Sequence, residues 1–183
     1  SRNPKGFPTS TRKLEIYSET LLKNGYDPIP VLQPVPQRQS TDQFPLQLSC
    51  AKTVAYCHSQ HRNIKSLRRL MPDPILEMSK EAAETRNIEN DDWVEVSTAV
   101  GVFVAKAKVI KDIEPASVFA QHGWWVIGAN KTPYGPDNPM AANMNRTIAT
   151  DLRDPISGSI PIRSSYCNVE KMSIDDHGKQ SKR

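Results

Sequence analysis

Residues 93–110, Trp93-Val94-Glu95-Val96-Ser97-Thr98-Ala99-Val100-Gly101-Val102-Phe103-Val104-Ala105-Lys106-Ala107-Lys108-Val109-Ile110, decide the fold class. Apolar and polar side chains alternate over Trp93–Thr98 and again over Val102–Ile110, the period of a strand with one face buried. Gly101 sits in the short turn between the two runs, so the stretch predicts a β-hairpin. Outward from it, 75–79 (ILEMS) and the run from Phe44, FPLQLSC, alternate in the same way, and 117–122 (SVFAQH) reads as a further strand reached through Glu114-Pro115. Ser79 can cap a short helix over Lys80–Arg86, with Glu81 and Glu84 toward its positive end. Five or so short strands, one clear helix and long loops predict a mostly β unit with minor α, closed into a barrel. No internal repeat is visible.

The flanks differ in character. Residues 1–43 read as a connector that packs on a neighbouring domain: a short strand-like unit over Lys13–Tyr17, a helical turn over Ser18–Lys23 stopped by Asn24-Gly25, then Pro28, Pro30, Pro34 and Pro36, which enforce extended backbone. The barrel is expected over 44–171 and a solvated, flexible tail over 172–183. After His122 the stretch up to Arg146 is rich in Gly, Pro and Asn and too poor in apolar residues to be core. Such long loops are functional or disordered.

Composition excludes several classes. The chain has 183 residues, 37% of them hydrophobic, enough for one compact domain with a core. Fifteen prolines come to about 8%, above the usual ~5%. No apolar run is long enough to span a bilayer, so direct membrane insertion is not expected, and the N-terminus lacks the apolar middle of a signal peptide. The net charge of +4 is short of the basic stripe a nucleic-acid binder needs. Three cysteines argue against a disulfide framework and for a reducing compartment. The compartment itself, at the cytoplasmic or periplasmic face of a prokaryotic cell, is left open. A chain that opens on Ser1 is expected to be a piece of something longer.

The richest polar run is Cys57-His58-Ser59-Gln60-His61-Arg62-Asn63. A zinc site would need a second ligand pair at a distance, which is not seen. A cysteine–histidine dyad would need a third, orienting group, and none is identifiable. A plain polar loop is the bland alternative. An anion site accounts for more of the residues: Ser59, Gln60, Arg62 and Asn63, with backbone N–H groups and with Ser49 and Lys52 upstream, concentrate the donors that phosphates and heterocycle edges require. Trp124 and Trp125 suit packing. Asn143, Asn145 and Arg146 suit either a base edge or turn chemistry.

In order along the chain, TSTRKLEIYSETL and GYDPIP, the long segment LSCAKTVAYCHSQHRN through HGWW, and NMNRTIATDLRDPISGSIPIRSSYCNVEK resemble the C-terminal portion of catalytic subunits in the dimethyl sulfoxide reductase family of molybdenum and tungsten enzymes. The resemblance implies a double-psi β-barrel that binds bis(molybdopterin guanine dinucleotide), with Mo or W, shared with upstream domains of the same subunit. It implies four cofactor-lining motifs: Ser49-Cys50 with Ala51 or Lys52, where Thr-Gly-Arg is usual; His58, Ser59, Arg62 and Asn63; His122, Gly123 and Trp124; and Asn143 with Asn145. Arg62 and Lys52 would pair with phosphate charge. Ser79-Lys80-Glu81-Ala82-Ala83 matches a structural helix opening. The metal ligand and iron–sulfur cysteines belong upstream, so an isolated piece is expected to be inactive, and iron–sulfur and membrane-anchor subunits are the implied partners. HSQHRN with HGWW is similar to the branch holding polysulfide and thiosulfate reductases, formate dehydrogenases and acetylene hydratase.

Two other readings stay beside this one. The same barrel serves as an adaptor that docks subunits without a cofactor, since fold alone does not fix function. A small hydrolase built on Cys57 would need a triad. Convergence of His58, Arg62, His122 and Asn145 on one side of the barrel is what the cofactor reading requires.

Overall fold

A computed structural model describes residues 6–32, 40–124 and 141–173, the side chain of Ser164 excepted. Trp125, the loop that follows it and the end of the expected tail lie outside these residues, as do Pro34 and Pro36. The chain divides into two compact units, residues 1–36 and 37–183.

In the first unit the helical turn forms as α1 (Glu19–Lys23), where Ser18 Oγ accepts from Leu21 N at 3.2 Å and Asn24 closes the C-terminal end. Lys13–Tyr17 is not a strand, contrary to its pattern. Glu15 Oε1 instead accepts from Ser10 Oγ at 2.9 Å and from Thr11 N at 3.1 Å, a local turn that replaces a ladder. Leu14 and Ile16 are 70% and 74% exposed.

The second unit is a closed six-stranded barrel: β1 (Leu46–Ala51), β2 (Ile75–Ser79), β3 (Trp93–Ser97), β4 (Val102–Ile110), β5 (Ser117–Gln121) and β6 (Arg163–Lys171), in the order β1-β5-β2-β4-β3-β6. The hairpin pairs Val96 with Phe103, and Thr98 N donates to Gly101 O at 2.9 Å. β1 runs parallel to β5 and β2 parallel to β4, while the other four pairings are antiparallel. Exchanging β1–β3 with β4–β6 leaves the order and every direction unchanged. Each half's first two strands thus enclose the middle strand of the other, the interlocked arrangement of a double-psi β-barrel. The two-fold is in topology, with no counterpart in sequence.

Inward-facing Leu48, Leu76, Met78, Val94, Val96 and Phe103 fill the barrel. Helix α3 (Lys80–Glu84) follows β2 directly; Ser79 Oγ accepts from Ala82 N at 3.0 Å, and Ala82 and Ala83 pack on the core. It is shorter than the predicted span, with Asn87 already left-handed at φ 53°. Two elements escape the pattern. β6 closes the barrel with inward Cys167 and Val169 among polar neighbours, and α2 (Lys65–Leu70) has no side-chain cap and buries no residue. A third correction concerns residues 141–149. Ala141, Ala142, Met144, Ile148 and Ala149 are buried, so the end of the loop expected to be non-core is part of the interior. A 3-10 turn at Met144–Thr147 is fixed there by Asn143, whose Oδ1 accepts from Asn145 N at 3.0 Å. Thr98 Oγ1 donates to Thr147 O at 3.2 Å.

Leu76→Ala removes a fully buried side chain at the barrel centre and should cost about 2–5 kcal/mol in urea denaturation. Burial pushes the Cys167 thiol up to about 12, so in the native protein Cys57, which is exposed, should react with an aromatic disulfide reagent while Cys167 stays silent until the barrel unfolds.

Candidate cofactor site

Because β1 and β5 are parallel, with Cys50 opposite Ala120 and Ala51 opposite Gln121, their carboxyl ends lie side by side. The chain leaving β1 makes a tight turn at 57–60, where Gln60 N donates to Cys57 O at 2.9 Å, and His58 and His61 take left-handed φ values of 54° and 68°. The chain leaving β5 passes through Gly123 at φ +88°, where a Cβ would lie 2.8 Å from His58 O and 2.9 Å from Ser59 Cα. Only glycine allows the two loops to approach this closely.

Three side chains form a line across the junction. Cys50 Sγ lies 2.7 Å from His122 Nδ1, and His122 Nε2 lies 2.6 Å from His58 Nδ1. Behind them the Arg62 guanidinium is held between two aromatic faces, 4.2 Å from the Tyr56 centroid and 4.0 Å from that of Trp124. Its Nη2 donates to His122 O at 2.8 Å and to His58 O at 3.3 Å, tying the loops together. Tyr56 meets Trp124 edge-on, Tyr56 Oη donates to Met71 O at 2.6 Å at the end of α2, and Trp124 Nε1 donates to Gln121 Oε1 at 3.0 Å. A pocket of about 200 Å³ opens here, lined by Ala51, Lys52, Thr53, Tyr56, Cys57, His58, Arg62 and His122.

The local field is positive. Between Asp42 and Asp73 the sequence has no carboxylate, yet it carries Lys52, Arg62, Lys65, Arg68 and Arg69. Burial lowers the Arg62 pKa to about 10, so the group stays charged at neutral pH. Burial, then electrostatic repulsion from the His58, Arg62 and Lys52 side, lowers that of His122, while burial raises the Cys50 thiol. At neutral pH the cysteine–histidine contact is therefore thiol to imidazole.

The residues expected from sequence divide into groups. His58, His122, Gly123, Trp124, Arg62, Lys52 and Cys50 are brought together. Arg62 differs from its expected part as a phosphate fork, since Nη2 is engaged by carbonyls; Nε and Nη1 are buried without an acceptor among the described residues. Ser59, Gln60 and Asn63 are exposed on the same loop. Ser49 lies within β1 opposite Phe119 and Arg163, at a register shift, and does not line the pocket. Asn143 is buried as a cap and Asn145 is exposed; their segment reaches the site through Ala142, which packs with Tyr56 and Trp124. Tyr56 and Thr53 were not singled out from sequence. The Cys50–His122 pairing could not be, because 72 residues separate the partners. Among the described residues no group of three His, Cys, Asp or Glu side chains could hold a metal ion.

The sequence model of the family described as "Molydopterin dinucleotide binding domain" matches residues 46–165, well over half of the chain. The chain belongs to this family. Membership decides for the cofactor-binding reading of the barrel over the adaptor one. Relatives of this molybdopterin-dinucleotide-binding domain include a dimethyl sulfoxide reductase of Haemophilus influenzae, 26% identical over 93% of this chain and 22% of the relative. Acetylene hydratase of Syntrophotalea acetylenica is 25% identical over 81% of this chain and 21% of the relative, and a dopamine dehydroxylase of Eggerthella lenta 25% over 73% and 13%. The solved acetylene hydratase from Pelobacter acetylenicus superposes with a TM-score of 0.77 at 23% identity, over 91% of this chain and 24% of that one, and shows the same fold. The chain spans less than a quarter of the length of each of these relatives.

Gly123→Ala would force the two loops apart and should lower stability by about 1–3 kcal/mol in thermal denaturation. The lowered pKa of His122 gives a second test. The folded domain keeps this imidazole neutral, so its contribution to stability is full above the ordinary value of 6.5 and falls as the pH drops through that value, where the unfolded chain takes up the proton more readily. The stability difference between wild type and His122→Gln should shrink as the pH falls below 6.5, read from paired melting curves.

Proposed function

We propose that the pocket at the carboxyl ends of β1 and β5 takes the phosphate-bearing part of a molybdopterin guanine dinucleotide in a larger molybdenum- or tungsten-dependent oxidoreductase. The observation that carries this reading is the concentration of donors and positive charge, with no carboxylate between Asp42 and Asp73, on the loop after β1, which one buried guanidinium ties to the chain leaving β5. Arg62 lines the pocket and keeps Nε and Nη1 buried without an acceptor among the described residues, so its positive charge is uncompensated by any acid and favours an anionic or acceptor-rich group in the pocket. A volume of about 200 Å³ suits one segment of the dinucleotide rather than the whole.

Each residue then has a distinct task. Lys52, exposed at the mouth, supplies a mobile positive charge for phosphate. His58 and His122 offer directional hydrogen bonds. Arg62 holds the walls in register through its two carbonyl partners and keeps a fixed positive potential inside. When bound, the cofactor supplies the redox-active metal–dithiolene centre, and the domain's part is to bind and orient it. The protein as a whole is proposed to fall in the branch with polysulfide and thiosulfate reductases, formate dehydrogenases and acetylene hydratase. The cofactor is proposed to be shared with other domains of the same subunit. The first unit, with Leu14 and Ile16 exposed on irregular backbone, is proposed to pack on a neighbouring domain.

Lys52→Ala and His58→Ala alter exposed side chains and should leave the melting temperature within a degree or two. In the full-length enzyme each should lower bound pterin dinucleotide several-fold, and the lysine variant should lose less cofactor than wild type as salt is raised, having no lysine–phosphate contact left to screen. Wild-type cofactor content in both would remove the pocket from the binding surface.

A further inference from the structure

The line Cys50–His122–His58 has a direction. His122 uses both ring nitrogens, Nδ1 toward Cys50 and Nε2 toward His58, so one carries hydrogen and the other accepts. With Nδ1 accepting, the thiol donates S–H to an imidazole lone pair and Nε2–H donates to His58 Nδ1. With Nδ1 donating, the acceptor is a sulfur, a weak one, and the displaced S–H is left with Ala51 O at 4.0 Å. An imidazole nitrogen is the better acceptor, so the first arrangement wins. The ring is neutral, as a choice between tautomers requires: burial and the charges of Arg62 and Lys52 disfavour an imidazolium.

We infer that Cys50 is a positioning residue: by donating to His122 Nδ1 it sets both imidazoles in the Nε2–H tautomer and leaves His58 Nε2–H as a neutral donor at the pocket wall. Cys50 does not line the pocket itself. It acts through His122, one step behind. His58 Nε2 has no partner among the described residues, and Nδ1 is taken, so the only hydrogen-bonding role left to this exposed ring is to donate. The site is thereby suited to a ligand atom with a lone pair, such as a carbonyl oxygen, a ring nitrogen or a phosphate oxygen. This use of the donor rests on the functional reading above, whereas the tautomer does not.

The test is the imidazole 15N spectrum of selectively labelled full-length protein, prepared free of cofactor and at a pH above the histidine range. Four histidines in this chain keep its share of the spectrum tractable. Wild type should show His122 and His58 with pyridine-like Nδ1 and pyrrole-like Nε2. Cys50→Ser, which keeps a donor, should preserve both patterns. Cys50→Ala should move the two His122 nitrogens toward a common averaged shift. His58→Ala should leave His122 Nδ1 pyridine-like, because its determinant is still present. A pyrrole-like His122 Nδ1 in wild type would overturn the inference, as would scrambling in His58→Ala or an unchanged spectrum in a folded Cys50→Ala. The serine and His58 variants decide the matter should the alanine variant fail to fold. Pterin dinucleotide retained by the wild-type protein, measured separately as fluorescence after acid release and oxidation, tests the functional reading independently.

Discussion

The parallel ladder between β1 and β5 is the constraint on which the site depends. It sets Cys50 beside Ala120, and so brings the residue after the end of one strand beside the residue after the end of the other. Were the same two strands antiparallel, five residues at about 3.3 Å each would separate their carboxyl ends by ~16 Å, and neither the Cys50–His122 contact nor the His58–His122 contact could exist. A parallel pair in turn cannot be joined by a tight hairpin, which obliges the chain to cross over between strands. The crossover here places β5 between β1 and β2, and it leaves residues 52–74 free to form the loop, the pocket and α2.

Once the loops are adjacent, something must tie them together. Arg62 does so with the charge turned inward. Two desolvated aromatic contacts, each worth roughly 1–2 kcal/mol, and two charge-assisted bonds to carbonyls, each about 1.5–3 kcal/mol, offset a desolvation penalty of several kcal/mol. Burial still lowers its pKa to about 10, well above neutral, so the clamp stays charged. Lysine is not an equivalent, since a compact ammonium on a flexible stem lacks the broad, weakly hydrated fork that reaches two carbonyls from the corner between the perpendicular Tyr56 and Trp124 rings. The clamp also explains why α2 exists despite its weak sequence: its last turn is secured from outside, by Tyr56 Oη on the Met71 carbonyl.

How much of this the sequence disclosed depends on the range of the interaction. The hairpin at 93–110 and the strands at 75–79 and 117–121 are local alternations, and they are legible. β6 is not, because its buried apolar residues, among the described side chains, are Cys167 and Val169, flanked by Asn168 and Glu170, and closure by β1 and β3 overrides its weak pattern. Lys13–Tyr17 fails for the opposite reason: its alternation is real, yet Glu15 finds local donors and the first unit has no ladder to join. The donor-rich loop could be seen in CHSQHRN. The identity of its partners could not, since Cys50, His122 and Trp124 meet it only through the barrel's closure, and neither could the use of Asn143 Oδ1 as a cap for the turn at Met144–Thr147.

The topological two-fold raises the question of why one end of the barrel carries the site and the other does not. Exchange of halves maps the carboxyl ends of β1 and β5 onto those of β4 and β2. At that second end β2 passes straight into α3, Ser79 is buried as its cap, and Val109 N donates to Asn90 Oδ1 at 2.8 Å. The link from β4 to β5 is confined to residues 111–116, whereas its counterpart from β1 to β2 runs over 52–74. Short connections leave polar groups no choice but local partners. The longer one has room for left-handed residues at His58 and His61 and for a loop whose side-chain donors face outward. The proposed site thus lies at the one of two topologically equivalent strand ends where connection length frees hydrogen-bonding groups from capping the barrel itself.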